Sequence, residues 1–332
     1  MDVNDEARAT LPNESPGVPI AELNAEPHTE SKPGVHRIFY GNDGLRAGWR
    51  AVLFLLLFVL ITFLLLFLLR PFVHLHHGDV PPWLPIVQDG PQVFALVLAA
   101  YLLSRIERRP MPTAGLAGRR RALRFVAGAV WGMVALSVLV WVLDTLHLLT
   151  IAAPSIHGSI AMGYAAIYAI GFLLVGIFEE LFFRGYLQSI ISRGIGFWWT
   201  TLLLCVAFGA VHSGNKGESP LGVFNAAAVG FLFCISLWFT GSLWWAIGFH
   251  AAWDWGESFL YGTPDSGMVM RGHYFTSQAH GPLLASGGPT GPEGSFYALL
   301  LLLCAGLIAY LWWRRRGPAE WPQQHPTREE LA

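Results

Sequence analysis

Apolar residues in this chain fall in long unbroken runs, not at the two- or 3.6-residue spacing of half-buried strands and helices. The first run, residues 47–69 (AGWRAVLFLLLFVLITFLLLFLL), contains one charged side chain, Arg50. It is long enough to cross a hydrocarbon layer about 30 Å thick. Hydropathy windows of about 19 residues predict further spans over 86–104, 123–149, 160–192, 197–213, 221–239, 243–260 and 295–313. The run at 160–192 exceeds one perpendicular crossing, so it is expected to bend or to lie partly along the cytoplasmic interface. The pattern predicts an all-α fold, a polytopic membrane bundle of about eight transmembrane helices.

The flanks contrast with these runs. Residues 1–46 are rich in Pro, Glu, Ser and Asn, have no apolar face and read as a disordered cytoplasmic tail. The first apolar run begins only at Ala47, so no N-terminal signal peptide is expected. Residues 47–313 form the transmembrane domain, and 314–332 a second cytoplasmic tail.

Charge sharpens this division. Only 13% of the 332 residues are charged, 21 basic and 22 acidic, where a soluble domain carries about a quarter. Twelve of those charges lie in 1–46 and seven in 314–332, leaving 24 for the 267 residues between. An ordinary soluble enzyme is excluded. Nucleic-acid binding is disfavoured, because no basic face is interleaved with aromatics. Cys205, Cys234 and Cys304 sit in apolar runs without CxxC spacing, so neither a disulfide framework nor a Cys-bound metal is signalled.

Arginine placement gives the orientation. The loop after the second span carries Arg105, Arg108, Arg109, Arg119, Arg120, Arg121 and Arg124 against Glu107. The positive-inside rule makes that loop cytoplasmic. Alternation then places both termini, Arg193 and Arg314–Arg316 inside, in a multi-pass protein of a bacterial-type cell membrane. The loops expected outside (70–85, 150–159, 214–220, 261–294) are poor in Lys and Arg. Segment 261–294 is long and rich in Gly and Pro, which suits either a cap over a site or a linker.

Ionisable groups at membrane depth cost several kcal/mol unless paired or wetted, so they mark candidate chemistry. Those that stand out are Asp144, Glu179, Glu180, Arg184, His212, His250, Asp254 and Glu257. Glu180 and Arg184 are i,i+4 neighbours and can pair, whereas Glu179 is turned by about 100° and lacks that countercharge. Phe208 and His212 lie one turn apart, as do His250 and Asp254, whose carboxylate can orient the imidazole or share a metal with it. Counted at 1.5 Å per residue from the cytoplasmic ends, Glu179, His212 and Asp254 lie about 20 Å up and His250 about 13 Å. Three separate segments thus bring polar groups to one slab near mid-membrane. His74, His76 and His77 suit an outer interface, Asp144 and His147 are expected to pair, and the Trp-rich stretches suit interfacial anchoring.

The motifs Glu-Glu-x-x-x-Arg at 179–184, Phe-x-x-x-His at 208–212 and His-x-x-x-Asp at 250–254 resemble the CPBP family of intramembrane proteases. This CAAX protease and bacteriocin-processing family is also called Abi and includes the type II CAAX prenyl endopeptidases. The run Phe182-Phe183-Arg184-Gly185-Tyr186-Leu187 is similar to the family's FRG-L continuation, and the likeness extends over 157–260. The resemblance implies a catalytic cavity within the bilayer, opening to the cytoplasm in CAAX-type members. It implies that Glu179 and His212 activate the attacking water, that His250 and Asp254 complete the site, and that Glu180 and Arg184 support it. Glu179, Glu180, His212, His250 and Asp254 are therefore the candidate catalytic residues, with Arg184 and Phe208 as supports. The family usually has Asn where this chain has Asp254; an ionised Asp can only accept hydrogen bonds.

The expected function is an intramembrane endopeptidase that acts on a protein or peptide, prenylated or membrane-embedded, in the lipid bilayer. A Zn²⁺ held by Glu179, His212 and His250 is one version, although no HExxH is present; a metal-independent glutamate mechanism is the other. A non-catalytic scaffold, a bacteriocin-immunity protein and a proton-coupled transporter are the rival classes.

Overall fold

The computed structural model describes residues 38–41, 44–73 and 80–319. Most of both expected tails and the cluster His74, His76 and His77 lie outside the described residues. The described residues are mostly helical with almost no sheet, and each expected span is a helix: α1 (Ala47–Leu69), α2 (Leu84–Glu107), α3 (Arg121–Thr145) and α4 (Gly158–Glu179) come first. A π-helical stretch, Glu180–Leu187, joins α4 to α5 (Gln188–Ile195). Then follow α6 (Phe197–His212), α7 (Pro220–Thr240), α8 (Trp244–Trp255) with a second π-helical stretch at Gly256–Tyr261, and α9 (Phe296–Trp313).

The expected count of eight spans is not confirmed. Among the described residues six helical segments are long and apolar enough to cross a membrane. The other two are shorter: α6 has 16 residues and α8 has 12, continued by 6 in π form. The over-long run is one continuous helical segment, Gly158–Ile195, that passes through π geometry instead of breaking.

Local chemistry fixes the helix ends. Ser219 caps α7 by accepting from Gly222 N at 3.0 Å, with Pro220 in the first turn, and Ser295 caps α9 from Ala298 N at 3.1 Å. Gly241, at φ 61°, ends α7 in the left-handed conformation that glycine tolerates best. Lipid-facing side chains such as Leu56, Leu60, Phe63, Val134 and Trp141 remain exposed, as a bilayer solvent permits.

Close helix crossings position the site. A Cβ added at Gly128 or Gly132 of α3 would overlap the backbone of Trp245 or Phe249 in α8, and one at Gly248 would overlap Phe125 in α3. From the other side, Gly176 of α4 approaches to where a Cβ would sit 3.2 Å from Ile247 O. Small residues thus let α8 lie backbone to backbone between α3 and α4, the membrane counterpart of a GxxxG contact.

The loops separate into two faces. The Arg-rich segment 108–120, the α7–α8 turn and the end of α9 meet at one face, where Leu243 N donates to Gly115 O and Ala319 N to Trp238 O. At the opposite face, segment 262–294 is tied down along its length. Its strand β2 (Ser277–Ala279) pairs antiparallel with β1 (Leu149–Ile151), Arg271 N donates to Val80 O, and Thr290 Oγ1 to Gly217 O. Met270, Ser286 and Thr290 are buried. Of the two readings left open for this segment, it is a cap. The expected Asp144–His147 side-chain pair is not seen; the contact is His147 N donating to Asp144 O, with His147 at φ 56° closing the turn after α3.

Candidate active site

The π stretch after α4 and the packed face of α8 meet at one histidine. Glu180 is fully buried and its Oε1 accepts twice, from Arg184 Nη1 at 3.1 Å and from His250 Nδ1 at 3.0 Å. The other ring nitrogen, His250 Nε2, lies 3.6 Å from Glu179 Oε2 and 3.5 Å from Asp254 Oδ2. Glu179, His250 and Asp254, which depth counting along the helices puts in one slab, are in fact gathered around one imidazole. Three carboxylates face that ring.

Behind it, Arg184 is buried with its guanidinium carbon 4.0 Å from the Phe208 ring centroid and 5.8 Å from those of Phe183 and Phe233. This is a cation–π cradle, favourable in a desolvated site. A Cβ at position 230 would overlap the guanidinium, which is why glycine stands there. Phe208 also serves His212: its carbonyl lies 2.8 Å from His212 Nδ1, which assigns the proton to Nδ1 and leaves Nε2 as an acceptor.

A cavity of about 210 Å³ opens beside these groups, room for on the order of a dozen waters. Glu179, His212, His250, Asp254 and Phe208 line it. Glu180 and Arg184 do not, so their place is beneath the site. Gln88 and Asp89 from α2, Asn215 and Asn225, and Asp265, Ser266 and Glu293 from the cap complete the polar lining. Asp89 was legible as a lone charge early in the second apolar run. Asp265 and Glu293 carry no motif and lie in a loop, so only the folded chain shows that they face the site.

Those cap carboxylates are strongly perturbed. Burial pushes Asp265 well above the usual carboxylate range, and nearby Asp254 adds to the shift. Burial, then Asp265, raise Glu293 to about 8, against hydrogen bonds from the Ser266 N–H and hydroxyl at 2.6 and 2.9 Å.

Glu179, His212 and His250 do not bring three ligand atoms within one coordination sphere, and both His250 nitrogens already face carboxylates. The arrangement does not fit tetrahedral Zn²⁺. The group among the described residues whose ligand atoms lie within 4.8 Å of one another is Glu257, Asp265 and Glu293. Its all-oxygen donors suit hard cations, not zinc.

A multi-pass helical membrane protein with a carboxylate-ringed histidine beside an internal cavity is the class these features define. Residues 161–256, which carry every motif of the site, match the family model described as type II CAAX prenyl endopeptidase Rce1-like. That match supports membership of the CAAX protease (CPBP) family that its motifs resemble. No curated protein matches the chain.

Proposed function

We propose that this protein is an intramembrane endopeptidase in which Glu179 activates water for attack on a peptide carbonyl. The observation that carries the reading is His250, held at Nδ1 by buried Glu180 and facing Glu179 and Asp254 at Nε2, inside the family-matched segment. Glu179 Oε2 has no hydrogen-bond partner among the described residues, so it is free to accept a proton. His212 Nε2 presents an acceptor that orients the same water. As the water oxygen bonds to the carbonyl carbon, its proton passes to Glu179 and then to the departing amine as the C–N bond breaks, the usual general acid–base cycle. His250 donates from Nε2 to the developing oxyanion, and Asp254, an acceptor only, holds the ring in place. Glu180 and Arg184 are positioning residues.

The substrate is a protein or peptide reached within the bilayer, with both termini of the enzyme cytoplasmic in a cell membrane. Purified protein in proteoliposomes, offered prenylated and unprenylated membrane-anchored peptides, provides the test. Cleavage is expected for wild type and a loss of about 10³-fold or more for Glu179→Ala and His212→Ala. Full activity in either variant sinks the assignment. Solute flux that follows pH without cleavage points instead to a transporter.

A further inference from the structure

The cavity belongs to one end of the bundle. Beyond the mid-helix groups around His250, its lining comes from the start of α2 (Pro85, Asp89), the turn after α6 (Asn215), the first turns of α7 (Asn225), and the cap (Met268, Glu293). No lining residue comes from 105–124, 188–199 or 309–319, the segments that bear the arginine clusters. Met268 is 40% exposed beside buried Asp265 and Met270, so the rim meets solvent at the cap.

Two independent facts therefore combine. Arginines concentrate at one face, while the loops at the other contribute Arg70, Lys216 and Arg271. Orientation follows the excess of Lys and Arg in short loops, which stay in the cytoplasm. The geometry points to an active-site cavity that opens on the extracytoplasmic face, opposite to the cytoplasmic opening that the family resemblance implies. Resting on the protease reading, the substrate is then a peptide segment presented from outside, such as the extracytoplasmic flank of a membrane protein or an exported peptide. A cytoplasmic prenylated C-terminus would face the wrong end. The lining holds Asp89, Glu179, Asp254, Asp265 and Glu293 but no Lys or Arg, so it offers an acidic side chain of the substrate no countercharge.

Cysteine labelling of the full-length protein in its membrane tests this. Met268→Cys and Val269→Cys mark the cap, and Ala117→Cys, exposed in the Arg-rich loop, marks the other face. Native Cys205 and Cys234 are buried, and Cys304 lies on lipid-facing α9, so the unaltered chain supplies the background. A membrane-impermeant maleimide applied to intact cells is expected to label the cap variants at least tenfold more than Ala117→Cys. Inverted vesicles should reverse that ratio. If Met268→Cys folds poorly, Val269→Cys gives the same readout. Labelling of Ala117→Cys in intact cells, alone or equally with the cap, overturns the proposal. The readout needs no cleavage, so an inactive protein with the expected pattern would defeat the protease reading and leave the orientation standing.

Discussion

The guanidinium of Arg184 sits over Phe208, its carbon 4.0 Å from the ring centroid, while its Nη1 holds Glu180 at 3.1 Å. One aromatic ring thereby fixes the arginine that fixes the carboxylate that fixes His250. Arg184→Lys keeps the charge but loses the planar face and the fork. The variant is expected to fold and to lose about 10- to 100-fold in kcat with little change in KM, because Glu180 and His250 drift together. Arg184→Met goes further: it leaves buried Glu180 with His250 as its remaining partner, at a cost of about 3–5 kcal/mol. Steady-state kinetics beside thermal unfolding separate the two effects; equal loss of stability in both variants would argue against a positioning role.

The α3–α8 crossing should be the most sensitive packing contact. Gly132→Leu drives a side chain into the Phe249 backbone and is expected to destabilise by about 1–3 kcal/mol or more and to displace His250. Gly163 faces open space, so Gly163→Ala should be neutral or slightly stabilising. Melting temperature and detergent-extracted yield report the difference. Equal tolerance at both sites would mean that the crossing is looser than described.

Stability should fall as pH rises. Glu293 titrates near 8 in the folded protein against an ordinary value of 4.5. Between those values the folded state holds a proton that the unfolded chain has released, so its contribution is complete below pH 4.5 and lost by about pH 8. Asp265 shifts in the same direction and adds to the trend. The melting temperature is expected to drop by roughly 5 °C across this window, and Glu293→Gln should flatten the profile. A profile unchanged by that substitution would show that the cap carboxylates are not its source.

Chelation should leave peptide cleavage intact. Glu179, His212 and His250 do not share a coordination sphere, so activity is expected to survive dialysis against a strong chelator within about twofold. Loss of activity restored by Zn²⁺ alone would overturn that expectation and require the three side chains to converge.

The spans were legible because lipid demands long apolar runs, and the site because charge inside such runs is costly. Glu179, His250 and Asp254 could be placed at one level by counting residues along helices. What counting did not reveal was Glu180 as the partner of His250, since a 70-residue separation in sequence carries no periodic signal. The glycine contacts of α8 set that pairing. Asp265 and Glu293 were hidden for another reason: a loop follows no repeat, and its inward-facing acids look like any solvated ones. The expected runs 197–213 and 243–260 agree with α6 and with α8 plus its π extension almost residue for residue; what hydropathy did not show is the turn to π geometry at Gly256.

An α-helix ties each carbonyl oxygen to the N–H four residues on and wraps it in side chains about 10–12 Å across, whereas a carbonyl to be attacked has to reach His250 Nε2 beside Glu179 Oε2, two atoms 3.6 Å apart. A transmembrane helix therefore cannot be cut while it remains a helix. The bond to be broken must first be drawn out as extended chain, and the enzyme will discriminate among otherwise similar sequences by how readily each one unwinds.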